Sequence, residues 1–141
     1  MFEKGLLAKK RILVTGGGSG LGAAMGRRFV ELGAELIICG RRLELLEATA
    51  AQMRSELGGK VGVVRCDIRD GAAVDAMMDI IWREAPLDVL VNNAAATFIA
   101  QTEQLSSRAQ TRSSRRPCMA RCTARSVPAG AGSRERTKAW C

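Results

Sequence analysis

The chain has 141 residues, 47% of them hydrophobic, and a formal net charge of +8 at pH 7, which suits a single domain with a buried core. The five cysteines, an odd number with no secretory signal, exclude a disulfide framework and predict free thiols and a cytoplasmic protein. No apolar run is long enough for a transmembrane helix, so no membrane partner is expected, and the composition includes neither tyrosine nor histidine.

The first predicted elements are a strand, a glycine-rich turn and a helix. Residues 11–14 form an apolar run, and the apolar residues after the turn recur at helical spacing: Leu21, Met25, Phe29 and Leu32. Glycines tolerate unusual backbone angles and let a pyrophosphate approach the main chain, while the N-terminus of the following helix attracts phosphate. Glycines alone also fit a flexible surface turn, but the flanking strand and helix favour a phosphate-binding site.

Alternating strands and helices follow this turn. Strands are predicted over residues 35–40, 61–64 and 89–91, a second helix ends at Gly58, and a third helix begins after Asp70. The predicted buried faces are Leu43, Leu46, Ala50, Met53 and Leu57 in the second helix, and Val74, Met77, Met78, Ile81 and Trp82 in the third. We interpret Trp82 as a core residue rather than a ligand contact. The pattern predicts an α/β fold, a Rossmann-like doubly wound parallel sheet that is incomplete, with about four strands.

Two motifs carry a resemblance to a known family. Thr-Gly-x-x-x-Gly-x-Gly at residues 15–22 and Asn-Asn-Ala-Ala at residues 92–95 resemble motifs of the short-chain dehydrogenase/reductase family, in which Gly is usual in place of Ala95. The resemblance covers the N-terminal half of that fold, from Lys4 to about Leu105. Residues 93–99 also resemble the 2,4-dienoyl-CoA and enoyl reductase-like branch. The family implies a usually homo-oligomeric NAD(P)(H)-dependent oxidoreductase that transfers a hydride to or from a carbonyl, an alcohol or a conjugated alkene.

The resemblance also implies a set of cofactor contacts. They are Thr15, Gly16, Gly18, Ser19, Gly20, Leu21, Gly22, Arg41, Arg42, Asp67, Ile68, Asn93, Ala94 and Ala95. At the end of the second strand an acidic residue would bond the ribose 2′-OH of NAD, whereas arginine pairs with the 2′-phosphate of NADP. Arg41 and Arg42 therefore favour NADP over NAD. Asp67 has an alternative role, which is to cap the loop before the next helix.

The catalytic groups of the family are not predicted in this chain. The family uses a serine and a Tyr-x-x-x-Lys motif, in which the lysine lowers the pKa of the tyrosine from its usual value of about 10. Because the chain has no tyrosine, we predict no catalytic residue and no turnover by these residues alone. A small-molecule substrate is expected only in a full-length form. No metal site is predicted.

The composition changes near residue 105. Residues 1–105 hold 13 basic and 13 acidic residues, whereas residues 106–141 hold nine basic residues and Glu135. We therefore divide the chain into a partial Rossmann dinucleotide-binding domain, 1–105, and a basic tail, 106–141, that is expected to be disordered because it lacks apolar periodicity.

Three hypotheses explain the tail. It could be a basic arm for an anionic partner, but nucleic acid is not favoured because Trp140 is its only aromatic residue. It could bind a metal through Cys118, Cys122 and Cys141, but it has no histidine. We favour the third hypothesis, a shift of reading frame within a longer reductase gene, because Arg, Ala, Ser, Pro and Gly are common products of GC-rich codons. A non-catalytic nucleotide-binding module with an anion-binding tail remains the alternative function.

Overall fold

The fold was obtained as a computed structural model that describes residues 2–3, 5–94 and 138–140. These residues form five strands and three helices, and strands and helices alternate from the first strand to the fourth. They are β1 (Arg11–Thr15), α1 (Gly20–Glu31), β2 (Glu35–Gly40), α2 (Leu43–Leu57), β3 (Val61–Arg65), α3 (Gly71–Glu84), β4 (Val89–Val91) and β5 (Lys138–Trp140).

The strands form one parallel sheet in the order β3-β2-β1-β4-β5. The predicted Rossmann-like α/β fold is confirmed, and β2 and β4 have the predicted bounds. The fifth strand was not predicted, since residues 138–140 were assigned to a disordered tail. Their backbone pairs with β4 instead, with Lys138 opposite Val89. A three-residue strand whose partner strand is far away in the sequence leaves no local apolar pattern to detect. The rest of the tail lies outside the described residues.

The sheet separates two hydrophobic cores. Along β1, Ile12 and Val14 belong to the core under α1 and α2, whereas Leu13 belongs to the core that contains the buried residues of α3. All three side chains are at most 2% exposed. This alternation follows from the two-residue period of a strand, and it explains why a strand covered on both faces is continuously apolar. Burying each side chain of this size stabilises the fold by about 1.5–3 kcal/mol.

The predicted apolar spacing of α1 coincides only in part with its buried face. Leu32 is buried and Phe29 packs against the core, but Leu21 is 70% exposed. Gly22 and Gly26 are buried as well. A Cβ on Gly26 would lie 2.9 Å from Cδ2 of Leu36, so the absence of a side chain lets α1 approach β2 closely. The prediction followed the large apolar residues, but the closest packing of this helix is made by its glycines.

The ends of α2 and α3 agree with the sequence. Gly58 follows α2 in a left-handed conformation with φ of 65°, which glycine adopts without steric cost. The Asp70 carboxylate accepts hydrogen bonds from the N–H groups of Ala72 at 3.0 Å and Ala73 at 3.4 Å, and so caps α3. Trp82 is 39% exposed and is therefore not the core residue that was predicted. Among the described residues, no helix has the length and apolar character needed to cross a bilayer.

A buried arginine connects β1 to the end of α3. The Arg11 guanidinium donates to the carbonyl oxygens of Ile81 at 2.6 Å and Ala85 at 2.5 Å, and to Glu35 at 3.1 Å. The last carbonyls of a helix lack partners within the helix and carry partial negative charge, so a cation there satisfies them. Arg11 thereby anchors the amino end of β1, whereas the predicted site residues lie at the carboxyl ends of the strands.

Candidate functional site

The predicted site residues meet at one edge of the sheet. The glycine turn, residues 16–19, follows β1, and Arg41 and Arg42 follow β2. Asp67 and Ile68 follow β3, and Asn93 and Ala94 follow β4. Because the strands are parallel, their carboxyl ends lie together, and β1 lies between β2 and β4, at the point where the strand order reverses. Ala95 lies outside the described residues.

Thr15 joins the glycine turn to the end of β4. Its hydroxyl oxygen accepts hydrogen bonds from the N–H groups of Asn93 at 3.0 Å and Ala94 at 2.9 Å. The Asn93 side chain donates back to the Thr15 carbonyl oxygen at 3.0 Å and to the Gly16 carbonyl oxygen at 3.5 Å. The two sequence motifs therefore form a single hydrogen-bonded unit.

The glycine turn and the first residues of α1 leave no room for side chains where they meet. A Cβ on Gly22 would lie 2.3 Å from the Gly16 carbonyl oxygen and 2.6 Å from Nδ2 of Asn93. Gly16 and Gly20 have φ values of 67° and 55°, in the left-handed region that favours glycine. The main chain of the turn therefore packs closely against α1, and the Asn93 side chain, which follows β4, hydrogen-bonds to it.

The N-terminus of α1 is open to an anion. Its N-cap, Ser19, makes no side-chain capping hydrogen bond, and the first turn of α1 contains no acidic residue. In α3, by contrast, the carboxylate of Asp70 occupies this position. Ser19, Gly20 and Leu21 are exposed. The free N–H groups and the positive end of the α1 dipole therefore face solvent beside the glycine turn, as phosphate binding requires.

Positive charge surrounds the ends of β2 and β3. Arg41 and Arg42 are exposed, and the Arg69 guanidinium binds the Asp67 carboxylate with Nε–oxygen distances of 2.9 and 3.1 Å. These side-chain hydrogen bonds, the backbone N–H of Arg69 and the charge of Arg41 lower the pKa of Asp67 to about 2. Asp67 is therefore ionised at neutral pH, and its carboxylate holds its own loop, as the capping alternative predicted.

Two contacts of this site were not predicted from the sequence. Thr49 of α2 donates its hydroxyl to the Gly18 carbonyl oxygen at 2.8 Å, although the two residues are 31 positions apart. Nothing in the local pattern of α2 indicates this contact. Arg69 could have been found, because an arginine two residues after an aspartate can reach back to its carboxylate.

Comparison with known proteins places the chain in a family. Residues 10–116 match the family model of the short chain dehydrogenases, which covers both motifs and most of the chain. The chain belongs to the short chain dehydrogenase family. The resemblance seen in the sequence is thereby confirmed, although the match extends beyond the predicted limit at about Leu105.

Individual short chain dehydrogenases support the assignment. The chain is 44% identical over 108 residues to a probable 2,4-dienoyl-CoA reductase 3 from Caenorhabditis elegans, covering 75% of this chain and 35% of the relative. A solved citronellol catabolism dehydrogenase from Pseudomonas aeruginosa PAO1 has a TM-score of 0.71 and 35% identity, over 79% of this chain and 46% of that protein. The relatives thus include the predicted dienoyl-CoA reductase branch.

One solved relative holds a nicotinamide dinucleotide. A 3-oxoacyl (acyl-carrier-protein) reductase from Agrobacterium tumefaciens C58 with NADP bound has a TM-score of 0.67 and 26% identity, over 76% of this chain and 41% of that protein. The chain spans 33–39% of the length of the first four curated relatives that it matches. It is therefore the N-terminal part of the fold of an oxidoreductase family.

Proposed function

We propose that this chain binds a nicotinamide dinucleotide, NADP(H) in preference to NAD(H), as the cofactor-binding part of a short-chain oxidoreductase. The observation that carries this proposal is the combination of an uncapped α1 N-terminus with a glycine turn whose centre excludes side chains. The proposed contacts are the residues predicted from the sequence, from Thr15 to Ala95.

The glycine turn is proposed to hold the pyrophosphate. Gly18, Ser19, Gly20 and Leu21 would present main-chain N–H groups, and the α1 dipole would add favourable electrostatics. Gly16 would contribute through the shape of the turn, because its own N–H donates to the Cys39 carbonyl oxygen at 2.8 Å. The donors fit this group because the helix start has neither a side-chain cap nor an acidic residue in its first turn that would compete with a phosphate. Thr15, Gly22 and Asn93 would act from behind the turn, since their hydrogen bonds and close packing set its shape.

The arginines after β2 are proposed to select NADP(H). Arg41 is the preferred partner of the 2′-phosphate, with Arg42 second because it precedes α2 as its N-cap. No acidic residue follows β2 directly to bond a 2′-OH. Asp67 brings a negative charge to this region, but Arg69 pairs with it, so the arginines keep their attraction for a dianionic phosphate.

The proposed reaction is hydride transfer to or from a carbonyl, an alcohol or a conjugated alkene. A bound nicotinamide would supply or accept the hydride. The residues of this chain would bind and orient the dinucleotide, while proton transfer would need groups outside these 141 residues, because the chain has no tyrosine. We therefore propose that the chain alone binds cofactor without turning over substrate.

Titration of the full chain with NADPH and NADH tests the proposal. Arg41→Gln removes a charged partner of the 2′-phosphate, so the Kd for NADPH should rise roughly tenfold while the Kd for NADH stays unchanged. Arg83→Gln removes the same charge from an exposed position in the last turn of α3 and is the matched control. Equal affinity of the wild-type chain for NADPH and NADH, or an equal loss in both variants, would contradict selection by Arg41.

A further inference from the structure

The glycine turn is contacted by a hydroxyl from outside both motifs. Thr49 lies in the second turn of α2, is half-buried, and donates its hydroxyl to the Gly18 carbonyl oxygen at 2.8 Å. Gly18 is buried, and a Cβ placed on it would lie 3.1 Å from Cδ2 of Leu46. This part of the turn therefore rests directly on α2, and its one side-chain hydrogen bond within the described residues comes from Thr49.

The bond to the carbonyl also sets the direction of the next N–H. In a planar trans peptide the C=O of one residue and the N–H of the following residue point in opposite directions. Because the Gly18 carbonyl points to α2, the Ser19 N–H points away from α2, toward the exposed side of the turn. Ser19 and Gly20 are exposed there, at the uncapped start of α1.

This peptide needs an external restraint. The turn has glycine at positions 16, 17 and 18 and is followed by Gly20 at the start of α1, and glycine allows peptide planes to rotate between states that other residues cannot reach. Apolar packing of Gly18 against Leu46 limits the position of the turn but not the orientation of a peptide plane, because dispersion contacts are not directional. A hydrogen bond is directional, and its strength falls steeply as its geometry worsens.

We propose that Thr49 is a positioning residue for the pyrophosphate. By holding the Gly18 carbonyl toward α2, it keeps the Ser19 N–H turned toward the phosphate and adds it to the donors at the start of α1. The inference rests on the proposed function, since it assigns Thr49 to the same cofactor site. Thr49 does not touch the cofactor in this scheme and acts only through the peptide between Gly18 and Ser19.

Three variants of the full chain test this role. Thr49→Val removes the hydroxyl at nearly constant shape, Thr49→Ala removes it in a better helix former, and Thr49→Ser keeps it. Each variant is titrated with NADPH and with adenosine 2′-monophosphate, which carries the 2′-phosphate but no pyrophosphate. Thermal unfolding of each variant is measured in parallel to show that α2 remains folded.

The two ligands separate positioning from stability. We expect Thr49→Val and Thr49→Ala to raise the Kd for NADPH about threefold to tenfold, the effect of one hydrogen bond, and to leave binding of adenosine 2′-monophosphate unchanged. Thr49→Ser should bind both ligands as the wild type does. Unchanged NADPH affinity in the two hydroxyl-free variants, or an equal loss for both ligands, would overturn the positioning role alone. A wild-type chain that binds neither ligand would overturn the proposed function itself, and the role of Thr49 with it.

Discussion

Replacement of Thr15 by valine tests whether the two motifs form one unit. Thr15 is 1% exposed, and valine matches its shape while removing the hydroxyl. The Ala94 N–H, now bonded to this hydroxyl at 2.9 Å, would then lose this acceptor, whereas the Asn93 N–H, bonded to it at 3.0 Å, would keep a second bond to the Val91 carbonyl oxygen at 3.1 Å. The Val91 carbonyl would lose only a weaker bond of 3.4 Å.

The size of the effect follows from those two N–H groups. A buried donor without a partner costs about 1–3 kcal/mol. Both groups are half-buried, so water satisfies them in part and the lower half of that range applies to Ala94. The Asn93 N–H keeps its bond to Val91, so its loss is about 0.5–1 kcal/mol. We therefore expect Thr15→Val to lower the free energy of unfolding by about 1.5–3 kcal/mol. Thr15→Ser retains the acceptor and removes one methyl group, which costs about 1 kcal/mol.

Urea unfolding of the full chain, followed by circular dichroism, measures both variants against the wild type. Domains of this kind are stable by about 5–15 kcal/mol, so the expected difference between the valine and serine variants should move the midpoint visibly. A valine variant as stable as the wild type, or more stable than the serine variant, would refute the bridging role assigned to the Thr15 hydroxyl.

Three further predictions concern the packing and charge of the site. Gly22→Ala should destabilise the chain by about 1–3 kcal/mol and weaken NADPH binding, because its Cβ would lie 2.3 Å from a carbonyl oxygen of the turn. Urea unfolding and NADPH titration measure the two effects. Gly62→Ala, whose Cβ would lie 3.6 Å from its nearest neighbour, is the control in both assays. Burial, with a smaller effect of the neighbouring Cys66, raises the pKa of the Cys39 thiol to about 12. Iodoacetamide at pH 8 should therefore label Cys39 only in urea, which peptide mapping would show. Labelling of Cys39 in the native chain would contradict this burial. Arg69 lowers the pKa of Asp67 from 3.8 to about 2, so the stability due to this pair is present above pH 4 and lost toward pH 2. The difference in free energy of unfolding between the wild type and Arg69→Gln should therefore shrink from pH 4 to pH 2. A constant difference would contradict the pairing.

The strands and most helix ends could be predicted from local sequence. Each of the first four strands is a short apolar run, because both faces of the sheet are covered, and Gly58 and Asp70 end and begin helices through local backbone chemistry. The buried face of α1 could not be predicted by the size of side chains, since Gly26 packs against Leu36 of β2 and Gly22 packs against the glycine turn. The strand at residues 138–140 depends on pairing over a long separation, which local patterns do not encode.

The candidate site was predictable where it consists of motifs. The glycine turn and Asn93 each carry a recognisable spacing, and parallel strand order brings them together. Thr49 acts through one hydrogen bond to the glycine turn, and this contact depends on how α2 packs against the turn. The structure is needed to find contacts of this kind.

Hydrogen–deuterium exchange of the full chain with and without NADPH shows whether the dinucleotide binds at the glycine turn, because it locates binding as well as detecting it. We predict slower exchange of the amides in residues 16–22 and 92–94, at the edge formed by the carboxyl ends of β1 and β4. The opposite edge has a cavity of about 230 Å³ lined in part by Lys9, Glu35 and Lys60, a basic region that could also attract a phosphate. Protection at residues 9 and 60 without protection of the glycine turn, or no protection anywhere, would contradict the account.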